Sequence, residues 1–153
     1  MSAFSHIDDL GKAQMVDVTE KSMTARRAVV EGWVELRPEH IAAIHSLPKG
    51  DLFSVAQIAG IQGAKKCADL IPLCHPLPLT HIDVSLSLEH ERIRIVAEVK
   101  TSGRTGVEME AYAAVVTAGI TCIDMLKGIS PDLTLTGIRL VQKTGGKSDW
   151  NRE

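Results

Sequence analysis

From Arg27 to Leu36 apolar and polar positions alternate. Ala28, Val30, Val34 and Leu36 fall on one side; Arg27, Glu31 and Glu35 fall on the other. A period of two marks a half-buried strand. Pro38 opens a short helix to about Ser46, because proline's fixed φ suits a first helical turn. Pro48, Lys49 and Gly50 break the chain, and Asp51 is placed to cap a helix running to about Leu70, ahead of Pro72. The interior glycines Gly60 and Gly63 each cost about 1 kcal/mol relative to alanine, so close backbone packing is the expected reason for them. The two prolines of LCHPLP at 73–78 exclude regular structure and make it a loop.

Thr80 to Leu88 and Arg92 to Thr101 alternate again, with a turn at Glu89–Glu91 between them. Ile82, Val84, Leu86 and Leu88 face one way, as do Ile93, Ile95, Ala97 and Val99, so the two form an antiparallel hairpin with one wet face. A long helix is expected from about Thr105 to Lys127, closed by Gly128. Leu133 to Lys143 is a last strand or a bent pair. Residues 1–24 read as an extended N-terminal arm and 145–153 as a mobile tail containing glycine and lysine. The order strand, helix, strand, strand, helix, strand predicts an α+β, ferredoxin-like split βαβ domain over 25–144, its antiparallel sheet covered by helices on one face. That fold hosts many functions and names none.

Composition narrows the classes. At 153 residues, 44% hydrophobic and 24% charged, the chain suits one ordinary core and not disorder or a collagen-like repeat. Aromatics are 3% (Phe4, Trp33, Phe53, Tyr112 and Trp150), too few for the stacking platforms of single-strand nucleic-acid binding. The net charge of −2 carries no basic footprint for DNA. The start holds Asp8 and Asp9 without an apolar secretory segment, and no membrane span is expected. Cys67, Cys74 and Cys122 are an odd set without CxxC spacing, which favours reduced thiols in the cytoplasm over disulfides or structural zinc.

Several residues could carry chemistry. GGKS at 145–148 is half of a phosphate loop, but Val141 stands where the first glycine belongs, so a nucleotide-triphosphatase loop is rejected. What remains is either a flexible basic tail or a glycine hinge that brings Lys143 and Lys147 to an anion. Lys49 lies beside a helix N-terminus, where an anion would relieve the mismatch with the dipole; the alternative is a solvated loop lysine. His75, between Cys74 and Pro76, is a poor metal site but a well-directed imidazole, for substrate or simply for loop structure. Thr105 and Glu108 read as a capping box, which leaves Glu110 unexplained.

Asp124 and Lys127 are neighbours on one helix face in an apolar run, either a plain ion pair or a proton-transfer pair. Glu110 and Asp124 are close to four turns apart, which along an unbroken helix is about 21 Å. Both cannot reach one reacting centre within one chain.

These segments together carry a resemblance. They are MVDVTEK at 15–21 with Thr24 and Arg26, KGD at 49–51, IAGIQGAKK at 58–66 and DLIPLCHPLPL at 69–79, then TGVEMEA at 105–111, Asp124 with Lys127, and KTGGKS at 143–148. The chain closely resembles the cyclic pyranopterin monophosphate synthase family, the C protein of molybdenum-cofactor biosynthesis (MoaC), from about Met15 to Ser148. Cys67 with Ala68, and Pro48, depart from the family's usual residues without removing a proposed catalytic group.

The resemblance implies a ferredoxin-like fold and a lyase that converts 3′,8-cyclised dihydro-GTP to cyclic pyranopterin monophosphate and pyrophosphate. It implies a homohexamer, a trimer of dimers, with active sites at subunit interfaces. Asp124, Lys127 and Lys49 match catalytic positions. Leu73, Cys74, His75, Glu108, Met109, Glu110, Lys143, Arg26 and Lys147 match substrate positions, the last two beside the triphosphate. No metal, protein-bound cofactor, nucleic acid or membrane partner is expected. A purine-nucleotide sensor without turnover and a structural oligomerisation domain are the competing readings.

Overall fold

The computed structural model describes residues 5–153; the first four residues of the N-terminal arm, Phe4 among them, lie outside it. The elements are β1 (Thr24–Glu35), α1 (Pro38–Ala43), α2 (Leu52–Lys65), α3 (Cys67–Leu70), β2 (Leu79–Glu89), β3 (Arg92–Gly103), α4 (Glu108–Leu126), β4 (Thr134–Thr144) and β5 (Trp150–Asn151). The sheet runs β2-β3-β1-β4-β5, antiparallel throughout. This is the expected α+β, ferredoxin-like arrangement.

The alternation along β1 does what its pattern demands. Ala28, Val30 and Val34 are fully buried, and so are Ile93, Ile95, Ala97 and Val99 of β3. They meet Ala111, Ala114, Val115, Ala118 and Cys122 of α4 in one core. Fully burying a valine or isoleucine contributes about 1.5–3 kcal/mol, so this stripe orients the sheet under α4. α4 has the length and composition of a membrane span, contrary to expectation. Its apolar face is spent on this core. On the opposite sheet face Glu31 is also buried, held by Arg94 and Arg139 at 2.8 Å each.

The glycines of α2 are explained by contact. A Cβ on Gly63 would lie 2.6 Å from Thr117 Cβ and 2.9 Å from the Ala113 carbonyl; one on Gly60 would lie 3.0 Å from the Ala114 carbonyl. The two helices approach as closely as backbone allows.

Four local expectations change. The helix expected over 51–70 breaks at Lys66, whose φ of −98° and ψ of 5° leave the helical region, and Cys67–Leu70 form a separate turn. The first helix ends at Ala43, not near Ser46. No Thr105 cap forms: α4 starts at Glu108, and Val107 precedes it, buried in the core. Glu108 instead faces Lys143 at 3.3 Å. The tail is held rather than mobile, because Trp150 and Asn151 pair with Lys143 and Gln142.

Candidate active site

The chain places its candidate groups at the two ends of α4. At the C-terminal end, Lys49 enters from the turn before α2. Asp51 caps α2 itself, accepting from Ser54 N–H at 2.8 Å. Two internal carboxylates serve this helix end. Asp51 takes the helix N–H, and Asp124 takes the lysine. Lys49 Nζ lies 2.7 Å from Asp124 Oδ2, and Lys127 Nζ lies 2.7 Å from Asp124 Oδ1.

Asp124 is half-buried. Its side chain is 47% exposed, and both lysines are more so. Hydrogen bonds from Lys127 and Lys49, with their charge, hold the Asp124 carboxyl down at about 2. It is thus an ionised acceptor that fixes two ammonium groups side by side. Those ammonium groups can donate protons or neutralise developing negative charge, and the carboxylate orients them.

At the N-terminal end of α4 lies a cavity of about 570 Å³. Lys21, Arg26, Arg27, Arg104, Lys143 and Lys147 line it, against the carboxylates of Glu20 and Glu108. Arg26 is aimed by its own backbone contacts: Nε donates to the Gly103 carbonyl at 3.1 Å and Nη2 to that of Arg104 at 3.2 Å. Arg104 in turn donates to Thr19 of the arm at 2.8 Å. Arg27 is committed to Glu98. Gly145 has φ of +89°, and a Cβ there would lie 2.9 Å from the Ala25 carbonyl carbon, so only glycine makes this turn. Thr24 Oγ1 donates to the Gly145 carbonyl at 2.8 Å, and Asp149 accepts from Gly145 N–H at 3.0 Å. The GGKS segment is a pinned loop, neither a free tail nor a loose hinge. A concentration of cations on fixed backbone suits a polyanion such as a chain of phosphates.

A second cavity, about 210 Å³, shares Lys21, Thr105, Gly106 and Glu108 with the first. Leu73, Cys74, His75, Met109 and Glu110 form its other walls, with Val16 and Val18 of the arm. His75 Nε2 donates to the Val16 carbonyl at 2.7 Å, and among the described residues Nδ1 has no hydrogen-bond partner. Glu110 is 4% exposed, and burial pushes its carboxyl up, helped by the charge of Glu108. Burial likewise pushes the Cys67 thiol up to about 12 and raises Cys74. A third cavity of about 280 Å³ lies on the other side of His75 and Glu110, lined also by Cys67. Among the described residues no cluster of three His, Cys, Asp or Glu is placed to hold a metal ion.

The proposed substrate residues thus collect around one two-part trough: Arg26, Lys143 and Lys147 in its cationic part, and Leu73, Cys74, His75, Met109 and Glu110 in the smaller part, with Glu108 between. Lys49, Asp124 and Lys127 do not join them. Sixteen helical residues separate Glu108 from Asp124, about 24 Å at 1.5 Å per residue. Lys21 and Arg104 also line the trough and were not singled out in the sequence. Lys21 lay inside the MVDVTEK segment without a role, and Arg104 had no local signal beyond its place after a strand.

A family model described as "MoaC family" matches residues 15–146. A cyclic pyranopterin monophosphate synthase from Corynebacterium glutamicum (strain R) is 52% identical over 99% of this chain and 99% of its own length. A protein of the same name from Roseiflexus castenholzii is 51% identical over 97% of this chain and 96% of its own length.

Proposed function

The chain belongs to the MoaC family, and from that premise we infer that it carries out the reaction for which those relatives are named. It takes 3′,8-cyclised dihydro-GTP and releases cyclic pyranopterin monophosphate and pyrophosphate. The observation that carries the reading is the two-part trough, with cations gathered at one part and a small mixed polar and apolar cavity at the other.

A triphosphate suits the cationic part. Forming a cyclic monophosphate requires a substrate hydroxyl to attack the α-phosphorus and give up its proton to a basic group or to solvent. The bond from the α-phosphorus to the bridging oxygen then breaks, and pyrophosphate leaves with the electron pair. Negative charge grows on the leaving group, and Arg26, Lys143 and Lys147 meet it from the cavity wall. The purine-derived ring system suits the smaller cavity. There His75 offers Nδ1, and Glu110 offers a carboxyl that holds its proton more firmly than usual.

The remaining proton transfers fall to Lys49 and Lys127, with Asp124 orienting both ammonium groups. Because α4 separates this group from the trough within one chain, the working site combines the trough of one subunit with the Lys49–Asp124–Lys127 group of another. The assembly is a homohexamer built as a trimer of dimers. Ile58 of α2 and Ile120 of α4, both more than half exposed, support apolar burial against further copies. Free thiols at Cys67, Cys74 and Cys122 support a reducing, cytoplasmic setting.

The test supplies the purified protein with freshly made cyclised dihydro-GTP under anaerobic conditions. Pyrophosphate and, after oxidation, fluorescent pterin are followed, beside Asp124→Asn and Lys49→Ala. Wild-type turnover lost in both folded variants is expected. A folded wild type that binds the substrate without turnover would make the chain a nucleotide sensor.

A further inference from the structure

The Lys49–Asp124–Lys127 group is exposed, yet its supports are tied together by one buried polar side chain. His40 of α1 is fully buried. Its Nδ1 accepts the Arg37 backbone N–H at 2.9 Å, a bond local to the start of α1. Its Nε2 donates to the Ser130 carbonyl at 2.9 Å, a bond across 90 residues of sequence. Ser130 lies three residues beyond Lys127, and Lys49 lies nine beyond His40. The same gap is crossed by Arg37 and Asp132 at 2.7 Å, but that pair is more than half exposed and water weakens it. The imidazole is therefore the dry tie between the segment that delivers Lys49 and the turn that ends α4.

We propose that His40 is a positioning residue for the Lys49–Asp124–Lys127 group. Its bond to Ser130 sets the spacing of the two ammonium groups on Asp124. This rests on the reading of that group as catalytic. His40 touches none of the three side chains; it acts through the backbone at either end. Displacing a reacting group by about 1 Å can cost about 10²-fold in rate, so a loose tie should be visible in turnover.

The two ring bonds can be separated by substitution. Asparagine at 40 retains an acceptor near the Nδ1 position but falls short of Ser130. Glutamine carries an amide N–H close to the Nε2 position. For His40→Asn we expect kcat to fall about tenfold with KM within about twofold, the mark of a lost transition-state geometry rather than lost binding. For His40→Gln we expect kcat within about twofold of wild type. Ile95→Val, a core change in β3, serves as a stability control and keeps kcat even at an equal loss in Tm.

Asp124→Asn is measured in parallel. If it retains full turnover, the catalytic reading itself fails. If it is inactive while His40→Asn turns over like wild type, or while His40→Gln is as slow as His40→Asn, the positioning role is overturned. Should His40→Asn not fold, His40→Gln decides alone. A kcat within twofold at unchanged KM sustains the tie, and a folded variant slowed more than tenfold contradicts it.

Discussion

Lys49 Nζ and Asp124 Oδ2 stand 2.7 Å apart although 75 residues separate them in the chain. Lys127 and Lys49 together hold the Asp124 carboxyl at about 2 against an ordinary 3.8. A folded value below the unfolded one means that the pairing stabilises the fold above the ordinary range. That contribution is lost as pH falls through about 2. In Lys49→Ala the Asp124 carboxyl should titrate closer to 3.8, read by NMR of the side-chain carboxyl carbon. A midpoint still near 2 would show that Lys49 contributes nothing to the pairing.

Glu110 gives the opposite sign. Burial raises its carboxyl above the ordinary 4.5, so the folded chain holds the proton more tightly than the unfolded chain does. Its contribution is present below about pH 4.5 and is lost as pH rises through the folded value. Glu110→Gln should match the wild-type Tm at acid pH and exceed it increasingly as pH rises. Tm curves that stay parallel as pH rises from acid to neutral would contradict the burial argument.

Arg26 and Lys147 line the same cationic cavity but differ in support. Arg26 is fixed by two backbone carbonyls, so removing it deletes a preorganised donor. Arg26→Ala should raise KM by about tenfold or more, and Lys147→Ala by less, with the difference narrowing as salt screens both charges. Equal effects at low salt would show that only charge matters, not direction.

The close approach of α2 and α4 sets a packing test. Gly63→Ala has nowhere to put its methyl group, since Thr117 Cβ and the Ala113 carbonyl already occupy the space. We expect a loss of about 1–3 kcal/mol in chemical denaturation, larger than for Gly60→Ala, whose neighbours stand farther off. A Gly63→Ala protein as stable as wild type would mean that the helices separate freely.

Elements whose causes are local were legible in the sequence. The β2–β3 hairpin follows from its alternation, with His90 taking the left-handed conformation, φ 56°, in the turn. The glycine pair in α2 pointed correctly to close packing. Where the deciding contact is distant, the reading failed. Thr105 and Glu108 match a capping box, but Val107 is drawn into the core and Lys143 claims Glu108. Asp124 sits in an apolar run and stays only half-buried, because the apolar neighbours Cys122, Met125 and Leu126 turn inward around it. The GGKS tail looked loose because nothing in its own sequence shows Thr24 and Ala25 of β1 beside it.

In the proposed assembly each working site takes its trough and its Lys49–Asp124–Lys127 group from different subunits. Asp124→Asn and Lys143→Ala damage opposite ends of α4, and each alone should be inactive. The decisive measurement mixes the two, by unfolding and refolding them together in equal amounts, and follows pyrophosphate release. If sites are shared between subunits, random assembly leaves roughly a quarter of them with both halves intact, and the mixture should recover about that share of wild-type activity. A mixture no more active than its two components, with the assembly intact, would place both halves in one chain and rule out sites shared between subunits.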